Sequence, residues 1–162
     1  MLLKDTVLNA NTGLDAIKRA PIVKYFTGCK CLRIQDITQD KPYCDWGDTE
    51  VSEQDKQKFL LKHGDILIAR TGATVGVNKY INQEHCSVYN NGLIRLKINP
   101  DYIPYYVYLV MQTEKFTDYI KGVSCGTSAQ PNLQIGDLLK FSFTAHSYNE
   151  QQHIVDTVRY IA

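Results

Sequence analysis

Two segments far apart in the chain constrain it most. His63-Gly64-Asp65-Ile66-Leu67-Ile68-Ala69-Arg70-Thr71-Gly72-Ala73-Thr74-Val75-Gly76 couples a Gly-Asp turn to a short apolar strand, then to a glycine-punctuated loop carrying Arg70, Thr71 and Thr74. Gly122-Val123-Ser124-Cys125-Gly126-Thr127-Ser128-Ala129-Gln130-Pro131-Asn132-Leu133 reads as a helix end releasing into a loop rich in Ser, Thr, Gln and Asn. Loops of this composition present hydrogen-bonding edges; they do not supply nucleophiles or bases. If the two segments act together, a rigid framework must hold Thr71 and Thr127 side by side.

The 162 residues suffice for one well-packed core and not for two ordinary domains. No run approaches the roughly 18 apolar residues of a membrane span, and Met1-Leu2-Leu3-Lys4-Asp5 lacks the apolar stretch of an export signal. The odd set Cys29, Cys31, Cys44, Cys86 and Cys125 has no framework spacing, which points to reduced thiols and a cytoplasmic location. A formal charge of +1 is low for a nucleic-acid binder. Such a role requires either charges segregated onto opposite faces or a partner that supplies phosphate contacts.

Periodicity predicts a sequence of short elements. Leu8–Gly13 reads as a turn and 14–20 as a short helix or extended lead-in, closed by Pro21. Strand-like runs at 22–26 and 29–34 flank Thr27-Gly28, a hairpin-like turn, and Cys31 to Ile37 alternates like a half-buried strand. Residues 38–58 read as a polar surface excursion, with an exposed helix over 49–58. Ile66 to Ala69 is a buried strand whose returning partner lies within 75–81. Runs at 86–89 and 93–98 are split by Asn90-Asn91-Gly92, a hairpin or bulge signal. Pro104 to Lys121 reads as one amphipathic helix, started by proline and stopped by Gly122, its aromatic stripe turned to the core. Leu133 to Phe143 reads as a turn and a strand. A last helix runs from the N-cap Asn149 to Ala162, with Ile154, Val158 and Ile161 on one side. The sum is an α+β domain of short, mostly antiparallel twisted strands, one amphipathic helix and a shortened C-terminal helix.

Enzyme chemistry finds little support. Gly72-Ala73-Thr74-Val75-Gly76 lacks the glycine spacing of a phosphate loop, and Lys79 arrives late and before Tyr80. His63, His85, His146 and His153 sit on separate elements, and no Cys-x-x-Cys pair is present, so no metal is expected. There is neither a glycine-rich methyl-donor loop nor an Asn-Pro-Pro-Tyr motif, so no cofactor is expected. What remains is polar loop residues: Arg70, Thr71, Thr74, Lys79, Asn90, Asn91, Lys121, Ser124, Thr127, Ser128, Gln130 and Asn132. Arg reads guanine, Asn and Gln read adenine, and Ser and Thr read either. The same residues also form turns in any protein.

Five segments in order resemble the specificity subunits of type I restriction–modification systems. They are Leu32-Arg33-Ile34-Gln35-Asp36-Ile37, the Gly64-to-Gly72 turn-strand-loop, the Pro104-to-Lys121 helix, the Gly126-to-Leu133 loop, and Asn149-Glu150-Gln151-Gln152-His153-Ile154. The resemblance implies a non-catalytic target-recognition domain over 1–148 and the start of a spacer helix over 149–162. It also implies double-stranded DNA as ligand, with one half of a bipartite site read by each domain. Methyltransferase subunits that bind S-adenosylmethionine, and a restriction subunit, would be partners. The chain departs from the pattern in Phe143-Thr144-Ala145-His146-Ser147, where a proline-rich strand end is usual, and in a spacer helix that stops at Ala162. That leaves a shortened piece, a natural half-subunit and a gene fragment as alternatives. The competing reading is a protein-interaction module that self-associates or docks on methyltransferase subunits through Ile154, Val158 and Ile161.

Overall fold

The computed structural model describes residues 1–125 and 130–161. Its centre is a four-stranded antiparallel sheet in the order β1-β8-β5-β6, formed by β1 (Val7–Thr12), β5 (Ile66–Ala69), β6 (Asn78–Tyr80) and β8 (Leu93–Ile98). Ile66-Leu67-Ile68-Ala69 is buried on both faces, which explains a continuous apolar run in place of alternation. Ile66 and Ile68 join Ile94 and Leu96 in one core, while Leu67, Ala69 and Leu93 enter a second. The central sheet is thus the middle layer of the domain.

Helices α3 (Pro104–Val110), α4 (Glu114–Ser124) and α6 (Tyr148–Ile161) line the first core with Tyr106, Val107, Phe116, Ile120 and Val155. The second core is closed by another sheet, β2 (Ile22–Val23), β4 (Gly47–Thr49), β3 (Lys30–Leu32) and β7 (Ser87–Tyr89), with β3 and β7 parallel. Trp46 and Phe59 fill its remaining volume. Phe59 ends α2 (Glu53–Phe59), which Ser52 caps by accepting the Asp55 N–H at 3.1 Å.

The mixed α+β architecture agrees with expectation, but several local readings need correction. Cys31 to Ile37 is not one strand. Asp36 Oδ2 accepts the Arg33 N–H at 2.9 Å and turns the chain into α1 (Ile34–Thr38). The runs around Thr27-Gly28 form no hairpin, because β2 and β3 each pair with β4. Residues 38–58 are no excursion: they supply β4 and the buried Trp46 and Thr49. Asn90-Asn91-Gly92 is a corner at which the chain leaves one sheet for the other. Asn90 Oδ1 accepts the Gly92 N–H at 3.0 Å, and the Leu93 N–H donates to Asn90 O at 3.1 Å.

The single helix expected over 104–121 is two. Thr113 Oγ1 donates to Val110 O at 2.7 Å and accepts the Phe116 N–H at 3.3 Å, ending α3 and capping α4. Gly122 lies inside α4, which runs on to Ser124. The strand expected before Phe143 is largely α5 (Ile135–Leu139), followed by a single bridge between Leu2 and Ser142. In the last helix Ser147, rather than Asn149, caps by accepting the Glu150 N–H at 3.2 Å. Gln151 is buried there, accepting the Ile103 N–H and donating to His146 O, both at 3.0 Å, so α6 is pinned to the start of α3.

Candidate nucleic-acid interface

The two remote segments meet at the end of β5. The Arg70 N–H donates to Gly92 O at 3.0 Å, and its carbonyl accepts the Leu133 N–H at 2.7 Å. The Gly72 N–H reaches Pro131 O at 3.1 Å, the Asn132 N–H reaches Ser124 O at 3.2 Å, and Thr71 and Asn132 form an antiparallel bridge. The Arg70 guanidinium locks this junction. Its Nε donates to Asn91 O at 2.6 Å and its Nη1 to Asn132 Oδ1 at 3.4 Å. Gly76, at φ +94°, closes the loop back onto β5, its N–H on Ala69 O at 2.8 Å. A Cβ there would lie 3.0 Å from Ile120 of α4, so the loop sits hard against that helix.

The polar residues named from sequence divide into groups. Arg70, Thr71 and Asn132 are together and half-buried, with Gln130 exposed two residues before Asn132. Thr74 and Lys121 are exposed and line one cavity of about 470 Å3, which Gln112 also lines. Lys79 is elsewhere: it projects over the Trp46 ring, 6.0 Å from its centroid. Ser124 belongs to the helix, not a loop, and is only 2% exposed, with a hydroxyl lacking any partner among the described residues. Asn90 and Asn91 brace the sheet corner through their backbones, the Asn90 N–H on Leu32 O and the Asn91 N–H on Leu14 O. Thr127 and Ser128 lie outside the described residues.

On α6 the apolar side is mostly occupied. Val155 is buried, Ile154 packs on the first core, and Val158 is half-buried. Tyr160 and Ile161 stand out at 91% and 77% exposure. Arg159 lies over Tyr105 at 5.1 Å.

Three neighbouring cavities follow the outer edge of β6. The one holding Thr74 and Lys121 shares Asn78 with a second between α1 and α3, which shares Lys79 and Asn82 with a third at Tyr43 and His85. Asp40 is the one carboxylate among the residues lining this trough. Burial pushes the phenols of Tyr80 and Tyr108 in the middle cavity upward, so both stay neutral hydrogen-bonding groups. The sequence partitions charge in the same sense. No Asp or Glu occurs in 66–83, 85–100 or 119–136, the stretches that build the junction and most of the trough. Residues 36–55 hold seven of the 17 acids. A total of +1 therefore conceals segregation along the chain.

Residues 23–161 match the family model of the type I restriction modification DNA specificity domain. The chain belongs to that family. Specificity subunits of the family are the non-catalytic component of their systems. Its fold is similar to a chain from a type I restriction–modification complex, with a TM-score of 0.70 and 16% identity. It is also similar to the S subunit from M. genitalium (TM-score 0.60, 16% identity) and the HsdS subunit from Thermoanaerobacter tengcongensis (TM-score 0.68, 11% identity). Each likeness covers 99% of this chain but only 37%, 37% and 41% of the others, so the chain spans well under half their length. No curated protein sequence matches it.

For a specificity domain, several residues that shape the trough escaped the sequence reading. Gln112 Nε2 donates to Asn78 Oδ1 at 2.6 Å, and Asn78 Nδ2 donates to Gly76 O at 3.2 Å. This amide pair ties the break between α3 and α4 to the edge strand. Isolated Asn and Gln carry no periodic signal, whereas the basic and aromatic residues of Lys41-Pro42-Tyr43-Cys44-Asp45-Trp46 are a signal that a reading of 38–58 as polar surface leaves out. Among the described residues no helix is long and apolar enough to cross a membrane, and no group of three His, Cys, Asp or Glu gathers as a metal site.

Proposed function

We propose that this domain reads one half of a bipartite sequence in double-stranded DNA, without catalysing any step. The observation that carries the reading is the junction: Arg70, Thr71, Gly72 and Pro131 to Leu133 are hydrogen-bonded into one platform built from remote segments. Thr71, Thr74, Lys121, Gln130, Thr127 and Ser128 are the groups we assign to DNA, with Lys79 further along the trough. Arg70 acts chiefly by holding the platform, since two of its donors are already engaged. Ser124 contributes through its backbone carbonyl rather than its buried hydroxyl. Carboxylate-free stretches around the platform suit a polyanion, whose binding weakens linearly in log affinity with log salt.

In this reading the domain works in the cytoplasm and directs methyltransferase subunits, and a restriction subunit, to DNA. Selection from a randomised duplex pool tests it. Enrichment of one short motif, with salt-dependent affinity, is expected; recovery of random sequences at every ionic strength would end the proposal. A second reading rests on the exposed Tyr160 and Ile161 at the end of α6. It makes this helix end an interface for self-association or for a methyltransferase subunit. A sedimentation coefficient that stays monomeric at high concentration, with no binding to methyltransferase subunits, would remove it.

A further inference from the structure

We infer that the hollow between the Lys41–Trp46 turn and the loop 81–86 is a site for a single unstacked nucleotide, its base against the Tyr43–His85 stack and its phosphate at Lys79. The inference rests on the proposal that the trough faces nucleic acid, and extends it from paired DNA to an extruded or single-stranded base.

Tyr43 and His85 are stacked at 4.2 Å between centroids and 18° between planes. Trp46 meets Tyr43 edge-on at 5.4 Å. Both aromatics are fixed by hydrogen bonds, Tyr43 OH to Cys86 O and Trp46 Nε1 to Lys41 O, each 2.9 Å. A platform so immobilised loses little freedom when a flat ring settles on it. Every base has a π-face, so such stacking tolerates any sequence. The cavity of about 250 Å3 equals about eight liquid-water volumes, room for one base with part of its sugar. Asn82 and Gln83 line it with amides able to meet the edge of a base, and none of its lining residues is a carboxylate.

The cations around it are unequally available. Lys41 Nζ lies 3.7 Å from the buried Asp36, and Lys30 Nζ donates to Cys44 O and Trp46 O at 3.0 Å. Lys79 forms no ion pair with any described residue and stands over the Trp46 ring. It is the charge left for a phosphate.

Trp46 is the only tryptophan in the chain, so its fluorescence reports occupancy. Titration with a short oligothymidylate, and with a duplex bearing one bulged base, is expected to quench Trp46; a fully paired duplex is not. The oligothymidylate arm reads single strands and the bulged duplex reads extruded bases, and quenching by either supports the site. His85→Ala is expected to weaken quenching about tenfold or more. Lys79→Gln, which leaves the aromatics intact, serves as a second variant and should weaken it while flattening the salt dependence. Inorganic phosphate producing equal quenching, or both variants behaving as wild type, would overturn the inference. Anisotropy of the labelled paired duplex is read in parallel. Binding of that duplex while Trp46 stays silent to both the oligothymidylate and the bulged duplex removes only this pocket, and loss of paired-duplex binding as well removes the DNA reading.

Discussion

Thr71 and Asn132 face each other across an antiparallel bridge, joining the loop after β5 to the segment that follows α4. Few contacts say more about the domain. Neither segment belongs to a shared strand, so the bridge survives only because both ends are anchored to packed elements. Ala69 is buried in the second core on one side, and Leu133 is buried in the first core on the other. The platform is therefore a product of the two cores, and its geometry is inherited from them.

Arg70 should behave as a brace. Arg70→Ala deprives Asn91 O and Asn132 Oδ1 of a charged donor, a loss of about 1–3 kcal/mol in stability. Exchange of the Leu133 and Gly72 amides should quicken, since both hydrogen bonds cross the junction. Arg70→Lys keeps the charge but cannot span both acceptors, so it should loosen the same amides. Wild-type exchange in both variants would return Arg70 to the role of a simple DNA contact.

The legible parts of the sequence were those governed by nearest neighbours and periodicity. Ile66 to Ala69, the return at 75–81 and the strands near 87–89 and 93–98 all follow from apolar runs bounded by turn residues. What failed was partnership. The Asn90-Asn91-Gly92 chemistry looks the same whether the flanking strands pair or part, and here they enter different sheets. Asp36 turned an alternating pattern into a helix by capturing one N–H, and Thr113 divided the long helix by a similar bond. For the site, the meeting of the two loops was readable from their shared turn chemistry and the family likeness. The placement of Lys79 beside Trp46 and the burial of Ser124 were not, because each depends on an element distant in sequence.

Gly13 follows β1 directly and meets the sheet corner, its N–H on Leu93 O at 3.1 Å. A Cβ there would lie 2.3 Å from Asn90 O and 2.5 Å from Tyr89 O, both backbone atoms that cannot swing aside. Gly13→Ala should cost more than about 3 kcal/mol, among the larger effects of a single substitution. Urea unfolding measures it, and a change below about 1 kcal/mol would show that the corner yields.

Thr113 is the start signal of α4. Thr113→Ala removes the acceptor for the Phe116 N–H and should cost about 1 kcal/mol, while Thr113→Asp should largely retain the cap. The same break positions Gln112 against Asn78, so the alanine variant should also raise exchange at the edge of β6. Equal stability of all three proteins would mean that Phe116 packing alone fixes the helix start.

The buried thiols predict an alkaline limit to stability. Burial pushes Cys29 and Cys31 from an ordinary 9.0 up to about 12, with Cys86 adding to the shift at Cys29. Tyr89 rises to about 12 from 10.0, also by burial. In each case the protonated form is favoured by the fold, so the unfolded chain releases its proton first. This contribution is whole below pH 9.0 for the thiols and drains away as pH climbs toward about 12. The denaturant midpoint should therefore hold to pH about 8 and fall above about 9, less steeply in Cys31→Ala. Because the thiolate is the reactive form, the exposed Cys44 and Cys125 should be alkylated in the folded protein, with Cys29 and Cys31 modified only on unfolding. A midpoint unchanged up to pH about 10.5, with all five thiols reacting alike, would contradict the burial of this pair.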